Sequence, residues 1–188
     1  MIACDDDLKI TFMSIGLEWS DTDAMVLTSA VNKGFQVSPV KFYLVDGGYA
    51  NTYSFLAPYR RVRYHLKEYG AGRRRPQNYK ELFNHRHAVL RNHVERTLGV
   101  VKKRFPILKV ATFHKIENQV KIPVAAAVFH NIIRSLNGDE QWLNNQPHNI
   151  HPSNYVDLPD GDEGNDQSTN QGNLLRDTIA HQMWNDYR

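Results

Sequence analysis

The hydrophobic pattern of this chain stops at one boundary, and this limits where a core can form. Apolar residues recur regularly up to Leu136, whereas residues 137–173 are rich in Asn, Asp, Gly, Pro and Gln. A segment of that composition buries too little apolar surface to offset the entropy lost on ordering. We therefore predict that residues 1–136 fold as one domain, that residues 137–173 form a disordered acidic linker, and that residues 174–188 form a short amphipathic helix.

Within the patterned part, two short runs indicate strands. Leu8–Ile15 and Val40–Val45 are rich in β-branched, aromatic and other apolar residues. Between them, Asp21 or Thr22 can cap a helix, and Gly34 is placed to end it. The order strand, helix, strand favours an α/β fold.

Two helices are predicted after the second strand. The first extends from Tyr79 to about Phe105, where Pro106 stops it, and its apolar residues at steps of four, four, three and four predict a buried stripe of Leu90, Val94, Leu98, Val101 and Phe105. The second extends from Val120 to Leu136 and is apolar on most of its circumference. We expect the second to be a core helix.

Several classes of function find no support in the sequence. Cys4 is the single cysteine, so neither an intrachain disulfide nor a thiolate zinc cluster can form. His85, His87 and His93 lack the spacing of an H-E-x-x-H zinc site, and the chain has neither a phosphate-binding loop nor a G-x-S-x-G nucleophile elbow. It has no apolar run of 18 residues and no secretory signal, so we expect a soluble protein with no membrane partner.

Charge is distributed unevenly along the chain. Residues 1–136 hold 21 Lys/Arg against 11 Asp/Glu, giving +10, whereas residues 137–188 hold 2 against 9, giving −7. The stretch 60–104 holds 14 against 3, giving +11. Such a segment attracts polyanions, and the commonest one is a phosphodiester backbone. A solvated basic face without a dedicated ligand explains the charge equally well.

Three carboxylates are candidates for a metal site. Asp46 follows an apolar strand directly, where α/β folds place ligands, although an Asp before Gly more often caps a turn. Glu95 lies on the long helix at the margin of its predicted buried stripe, on one face with His87 and Arg91, although the Arg–Glu spacing also fits a surface pair. Asp23 lies in the first turn of the early helix, where the helix dipole alone favours an acid.

Four blocks of the sequence resemble the plant-type PIF/Harbinger transposases and the nucleases derived from them. These blocks are LEWSDTD, FYLVDGGYANTYSFLAPYRRVRYHLKEYG, RPQNYKELFNHRHAVLRNHVERTLGVVKKRFPIL and VFHNIIR, and the final RDTIAHQMWNDY is also similar. The resemblance implies a ribonuclease H-like mixed sheet flanked by helices, a DDE carboxylate set with two Mg²⁺ or Mn²⁺ ions, nuclear localisation and duplex DNA as substrate. It also implies a separate Myb-like DNA-binding partner.

The resemblance assigns roles residue by residue. Asp46 matches the aspartate of the family's "VDAGYPN" block and Glu95 the glutamate of its "ERTFGVLKKRF" block, so both are expected to be catalytic metal ligands. Asp23 matches the metal-site aspartate of "EGSAHD". Seven basic residues are expected to contact phosphates: Arg60, Arg61, Arg73, Arg74, Arg75, Lys102 and Lys103.

The sequence also departs from the family pattern. Thr22 stands where the family has His, Trp19 where it has Gly, and Ala50 where it has Pro. The strand with the family's first aspartate, in "IDGTH", is expected to lie upstream of Met1. We therefore expect an N-terminally truncated nuclease domain that is inactive or impaired. Two alternatives stay open, a domesticated non-catalytic protein associated with DNA or chromatin and a fragment without function.

Overall fold

The computed structural model describes residues 1–15, 23–64, 75–110, 114–136, 140–145 and 167–188. Contacts divide the chain into two compact units. Met1–Asp21 and Asn92–Asn154 form what we name the hairpin unit, and Thr22–Arg91 and Tyr155–Arg188 form the parallel unit. Among the helices so described, none is both long and apolar enough to cross a membrane.

The hairpin unit combines two antiparallel strands with helices. Strands β1 (Ile2–Cys4) and β2 (Ile10–Met13) pair in antiparallel register, with Ala3 opposite Phe12. The helical elements are the end of α2 (Tyr79–Arg104), a 3-10 helix (Pro106–Lys109), α3 (Ile116–Gln119), α4 (Lys121–Ser135) and α5 (Glu140–Asn144). One cluster of its core holds Ile10, Val101, Ala126 and Ala127, and another holds Leu8, Val100 and Leu143.

The parallel unit is built around two short parallel strands. It contains α1 (Asp23–Asn32), β3 (Tyr43–Leu44), β4 (Phe55–Leu56), the beginning of α2 and the C-terminal α6 (Gln167–Tyr187). Tyr43 pairs with Phe55 and Leu44 with Leu56. A core cluster of this unit holds Leu56, Tyr59, Phe83 and Ala180, and α6 therefore supplies part of it.

The early strand and helix predictions are confirmed, with shorter strands than expected. β2 lies within Leu8–Ile15, and α1 is followed by Gly34, whose φ of 95° is the left-handed conformation that ends helices. β3 covers only two residues of Val40–Val45. Val40 itself has a φ of 63° and is 87% exposed, so the backbone there cannot continue an extended strand.

Helix α2 has the predicted extent, but its predicted buried stripe is wrong in part. Val101 is buried, whereas Leu90 is 51% exposed. The early part of the helix instead buries Asn84 and His87 beside Leu82 and Phe83. Polar side chains can be buried when their hydrogen bonds are made inside the protein, and apolar periodicity does not detect such positions.

Helix α4 forms where predicted, but it is not a core helix. Its buried residues are Ala126, Ala127 and His130. The larger apolar residues Val124, Val128, Phe129 and Ile132 are exposed among the residues that the structure describes. Small alanine side chains allow the helix to pack closely on the hairpin, so the contact face is narrower than the apolar circumference suggests.

The polar tail contains more helix than predicted. Glu140–Asn144 is helical with Leu143 buried, and α6 begins at Gln167 rather than at Leu174. The linker prediction is therefore wrong for these two stretches, while 137–139 and 146–166 lie outside the described residues. The fold is mixed α/β, as predicted. A ribonuclease H-like central sheet stays a prediction, since the described strands form two separate two-stranded sheets.

Candidate functional site

Asp46 lies at the carboxyl end of the parallel strand pair, where the sequence predicted it. The backbone N–H of Val45 donates to the carbonyl of Leu56 over 3.0 Å, and this bond extends the pairing of β3 with β4 up to Asp46. The Oδ1 atom of Asp46 accepts a bond of 2.8 Å from the N–H of Gly47. The side chain thus also caps its own turn, which was the simpler interpretation of Asp before Gly.

The second carboxylate oxygen of Asp46 is paired with a guanidinium. Nη2 of Arg91, on helix α2, lies 2.6 Å from Oδ2 of Asp46. The side chain of Arg91 is 27% exposed and that of Asp46 is 28% exposed, so solvent reaches both groups. The sequence had placed Arg91 on one helix face with Glu95, but its partner in the structure is Asp46.

A buried histidine anchors α2 to the same strand pair. His87 Nε2 lies 3.1 Å from the Leu56 carbonyl, which can only accept, so Nε2 carries the proton. Nδ1 then accepts from the Tyr64 hydroxyl over 3.2 Å. Burial lowers the pKa of His87 to about 4, against the raising effect of its bond to Leu56, and burial raises the pKa of Tyr64 to about 12. Both rings are therefore neutral at pH 7.

The Leu56 carbonyl connects this network to Asp46. It accepts bonds from both the Val45 N–H and His87 Nε2, and Val45 immediately precedes Asp46. Arg91 follows His87 by four residues, which places both side chains on one face of α2. The bond of His87 thus fixes the helix position from which Arg91 reaches Asp46.

The segment between β4 and Tyr64 is held by two further polar side chains that the sequence did not single out. Asn84 accepts from the N–H of Tyr59 over 2.8 Å and donates to its carbonyl over 2.9 Å. Arg176 of α6 donates to the carbonyls of Ala57 and Pro58 over 3.4 and 3.3 Å, and its guanidinium lies 4.2 Å from the centre of the Tyr59 ring. The signal in the sequence that could have identified Asn84 and Arg176 is the presence of a polar residue inside a helix, at a position that packing buries.

The other predicted metal ligands are placed differently. Glu95 belongs to the hairpin unit and is half-buried, and among the described residues its side chain makes no hydrogen bond or ion pair. Asp23 is the first residue of α1, and its side chain lies outside the described residues. Where side chains are described, no group of three or more His, Cys, Asp or Glu gathers around one point. Asp46 and Glu95 thus lie in different units.

The predicted phosphate-contacting residues are spread over both units. Arg60 and Arg61 follow β4 in the parallel unit, where Nη2 of Arg60 lies 3.4 Å from the Gly47 carbonyl. Lys102 and Lys103 are exposed in the last turn of α2, in the hairpin unit. Arg75 is exposed, and Arg73 and Arg74 lie outside the described residues.

Asp46 fits a hard divalent cation as one ligand of a site. A carboxylate offers about four lone-pair positions, and the bonds from Gly47 and Arg91 use two of them. Oxygen ligands of this kind are those that Mg²⁺ and Mn²⁺ prefer. The guanidinium on Oδ2 is the feature that opposes a second positive charge.

In a comparison with protein families, residues 1–131 match the model described as DDE superfamily endonuclease. Comparisons with curated proteins and with solved structures gave no match. The matched region includes Asp46 and Glu95 with the strands and helices that carry them, and it covers more than half of the chain. This chain therefore belongs to the DDE superfamily endonucleases.

Proposed function

We propose that this chain is the nuclease domain of a Harbinger-type, transposase-derived protein that acts on duplex DNA in the nucleus with Mg²⁺ or Mn²⁺. The observation that carries the proposal is Asp46, an accessible carboxylate at the carboxyl end of a parallel strand pair. Its place within the matched family region supports the same reaction type, metal-dependent phosphodiester hydrolysis.

Asp46 and Glu95 are the proposed catalytic metal ligands, with Asp23 in support. These residues would hold divalent ions, whose chemistry in a reaction of this type would be to activate the attacking water and stabilise the leaving 3′ oxygen. The protein holds Asp46 in position through its neighbours. The Leu56 carbonyl, His87 and Tyr64 fix the backbone before Asp46 and the adjacent part of helix α2.

DNA is proposed to bind through its phosphates. The +11 balance of residues 60–104 supports this, because each phosphate contact releases counterions and gives salt-sensitive, sequence-indifferent affinity. The proposed contacts are Arg60, Arg61, Arg73, Arg74, Arg75, Lys102 and Lys103. Phosphate contacts carry little sequence information, so a separate Myb-like partner is proposed to select the target.

A non-catalytic role with DNA or chromatin is the second candidate, and one contact favours it. Arg91 already neutralises Asp46 without a metal ion. A carboxylate paired in this way can serve structure alone, while the basic surface still binds DNA.

Metal binding tests the first candidate directly. In a calorimetric titration of the full chain with Mn²⁺, Asp46→Asn should weaken binding, whereas Asp186→Asn, a change of the same chemistry at an exposed position of α6, should not. Identical isotherms for the chain and Asp46→Asn would reject the metal assignment.

Cleavage and DNA binding then separate the two candidates. Any Mg²⁺-dependent plasmid nicking should disappear in both Asp46→Asn and Glu95→Gln. Salt-sensitive DNA binding without nicking, unchanged by Asp46→Asn, would favour the non-catalytic role.

A further inference from the structure

We propose that Arg91 competes with the divalent cation for Asp46 and thereby keeps the metal affinity of the chain low. The inference rests on the proposed function, because it takes Asp46 as a metal ligand. It adds a role for Arg91, a residue that the carboxylate set of the family does not include.

The contact geometry carries the competition. Each oxygen of Asp46 already has one donor, the Gly47 N–H on Oδ1 at 2.8 Å and Arg91 Nη2 on Oδ2 at 2.6 Å. A hard cation binds the same two oxygens, and at Oδ2 it must either displace the guanidinium or stand next to it. Two positive charges a few ångströms apart repel even where solvent screens them. Metal binding therefore costs the Arg91 contact or includes that repulsion.

The fold holds Arg91 next to Asp46, where its guanidinium competes with a metal ion. Arg91 lies four residues after His87, whose buried ring is bonded to the Leu56 carbonyl, so the helix cannot rotate without breaking that bond. The guanidinium also remains charged throughout the physiological pH range. Neither a change of pH nor a small movement of α2 removes it from the carboxylate.

The test compares Mn²⁺ affinities of full-chain variants, measured from the electron paramagnetic resonance signal of free Mn²⁺. Arg91→Met should bind Mn²⁺ about fivefold more tightly, which is the scale of one half-exposed ion pair. Arg91→Lys retains the charge and should restore most of the weaker affinity. Arg86→Met removes an exposed arginine from the same helix and should leave the affinity unchanged.

A second measurement follows the metal titration in the wild-type protein itself. In ¹H–¹⁵N spectra of the wild-type protein, the Nε–H signal of Arg91, assigned with Arg91→Lys, should shift on Mg²⁺ addition with the midpoint of metal binding. Either an unmoved signal or equal Mn²⁺ affinities of the wild type, Arg91→Met and Arg86→Met would overturn the competition.

The measurements distinguish an error in the role of Asp46 from an error in the role of Arg91. If Asp46→Asn binds Mn²⁺ as tightly as the wild type, the metal assignment in the proposed function is wrong. If Asp46→Asn weakens binding but Arg91→Met does not strengthen it, the assignment holds and the inference about Arg91 is wrong.

Discussion

Each of the two units contains a buried histidine that donates a hydrogen bond to a backbone carbonyl, but the second ring nitrogen has a different partner in each unit. In the parallel unit, His87 donates to Leu56 and accepts from the neutral Tyr64 hydroxyl. In the hairpin unit, His130 Nε2 donates to the Leu8 carbonyl over 2.8 Å, and its Nδ1 accepts from Arg104 over 3.0 Å. His87, next to the candidate site, thus has only uncharged hydrogen-bond partners, whereas His130 accepts one of its bonds from the guanidinium of Arg104.

Each unit also contains an asparagine that binds the backbone in the same way. Asn84 in the parallel unit and Asn131 in the hairpin unit each accept from the N–H and donate to the carbonyl of one residue, Tyr59 and Ile10 respectively. Each amide therefore satisfies both backbone hydrogen-bonding groups of the residue it faces. Asn84 is fully buried whereas Asn131 is half-buried, so water can replace the bonds of Asn131 but not those of Asn84.

The largest expected effect is the loss of the Asn84 amide. Asn84→Ala leaves the N–H and carbonyl of Tyr59 buried without partners, and each such group costs about 1–3 kcal/mol. We expect a loss of roughly 3 kcal/mol in the free energy of unfolding, measured by urea denaturation. Asn131→Ala is the matched control in the hairpin unit and should cost about 1 kcal/mol, because solvent reaches its site.

The difference in lost unfolding free energy between Asn84→Ala and Asn131→Ala tests the comparison of the two units. Equal losses for the two alanine variants would show that burial of the asparagine does not separate the units. A loss below that of Asn131→Ala would mean that other groups hold Tyr59 and that Asn84 is not its main support.

The sequence predicted those features that depend on short-range pattern. The bounds of α2, the end of α1 at Gly34 and the position of Asp46 after a strand follow from periodicity, turn chemistry and the matching motif. The partner of Asp46 could not be predicted in the same way. Arg91 lies 45 residues from Asp46, so only the folded strand pair and helix bring them together.

Burial was the property that the sequence predicted least well. Apolar periodicity favoured Leu90 and a core-facing α4, yet the buried positions include His87 and His130, which satisfy their polar atoms internally. The docking of α6 was also missed. Its contact with the rest of the parallel unit depends on Arg176, Ala180 and the absence of a side chain at Gly172, which are weak signals in a polar helix.

Acid should weaken the parallel unit through His87, the next largest effect. Its pKa is lowered to about 4, first by burial and then by Arg91 and Arg176, although its bond to Leu56 and the charge of Asp46 oppose this. The unfolded chain, with a histidine pKa near 6.5, therefore binds the proton first as pH falls. The stability contribution is complete above pH 6.5 and is lost between there and about pH 4, by roughly 3 kcal/mol.

Urea unfolding at pH 7 and pH 5 measures the part of this loss that falls between those two pH values, about 2 kcal/mol. His87→Gln is the informative variant, because an amide can donate to Leu56 and accept from Tyr64 without titrating. It should lose less stability than the wild type over this pH interval. An equal pH dependence in both proteins would assign the effect to other groups.

The smallest expected effect tests whether α6 belongs to the parallel unit alone. A Cβ at Gly172 would lie 2.5 Å from the Cα and carbonyl carbon of Thr52, and backbone atoms cannot move aside as a flexible side chain can. Gly172→Ala should therefore cost about 1–2 kcal/mol, since overpacking outweighs the gain in helix propensity. Gln171→Ala, at the exposed neighbouring position, should be neutral or slightly stabilising.

Hydrogen exchange locates the damage that Gly172→Ala causes. Amides beside the α6 contact, such as that of Leu56, should lose protection, while that of Val101 in the core of the hairpin unit should keep it. This contrast follows if each unit opens by itself, because α6 contributes its buried residues to only one of them. Equal loss of protection at both amides would instead mean that the units unfold together, so that a defect at α6 destabilises the backbone around Asp46 and around Glu95 alike.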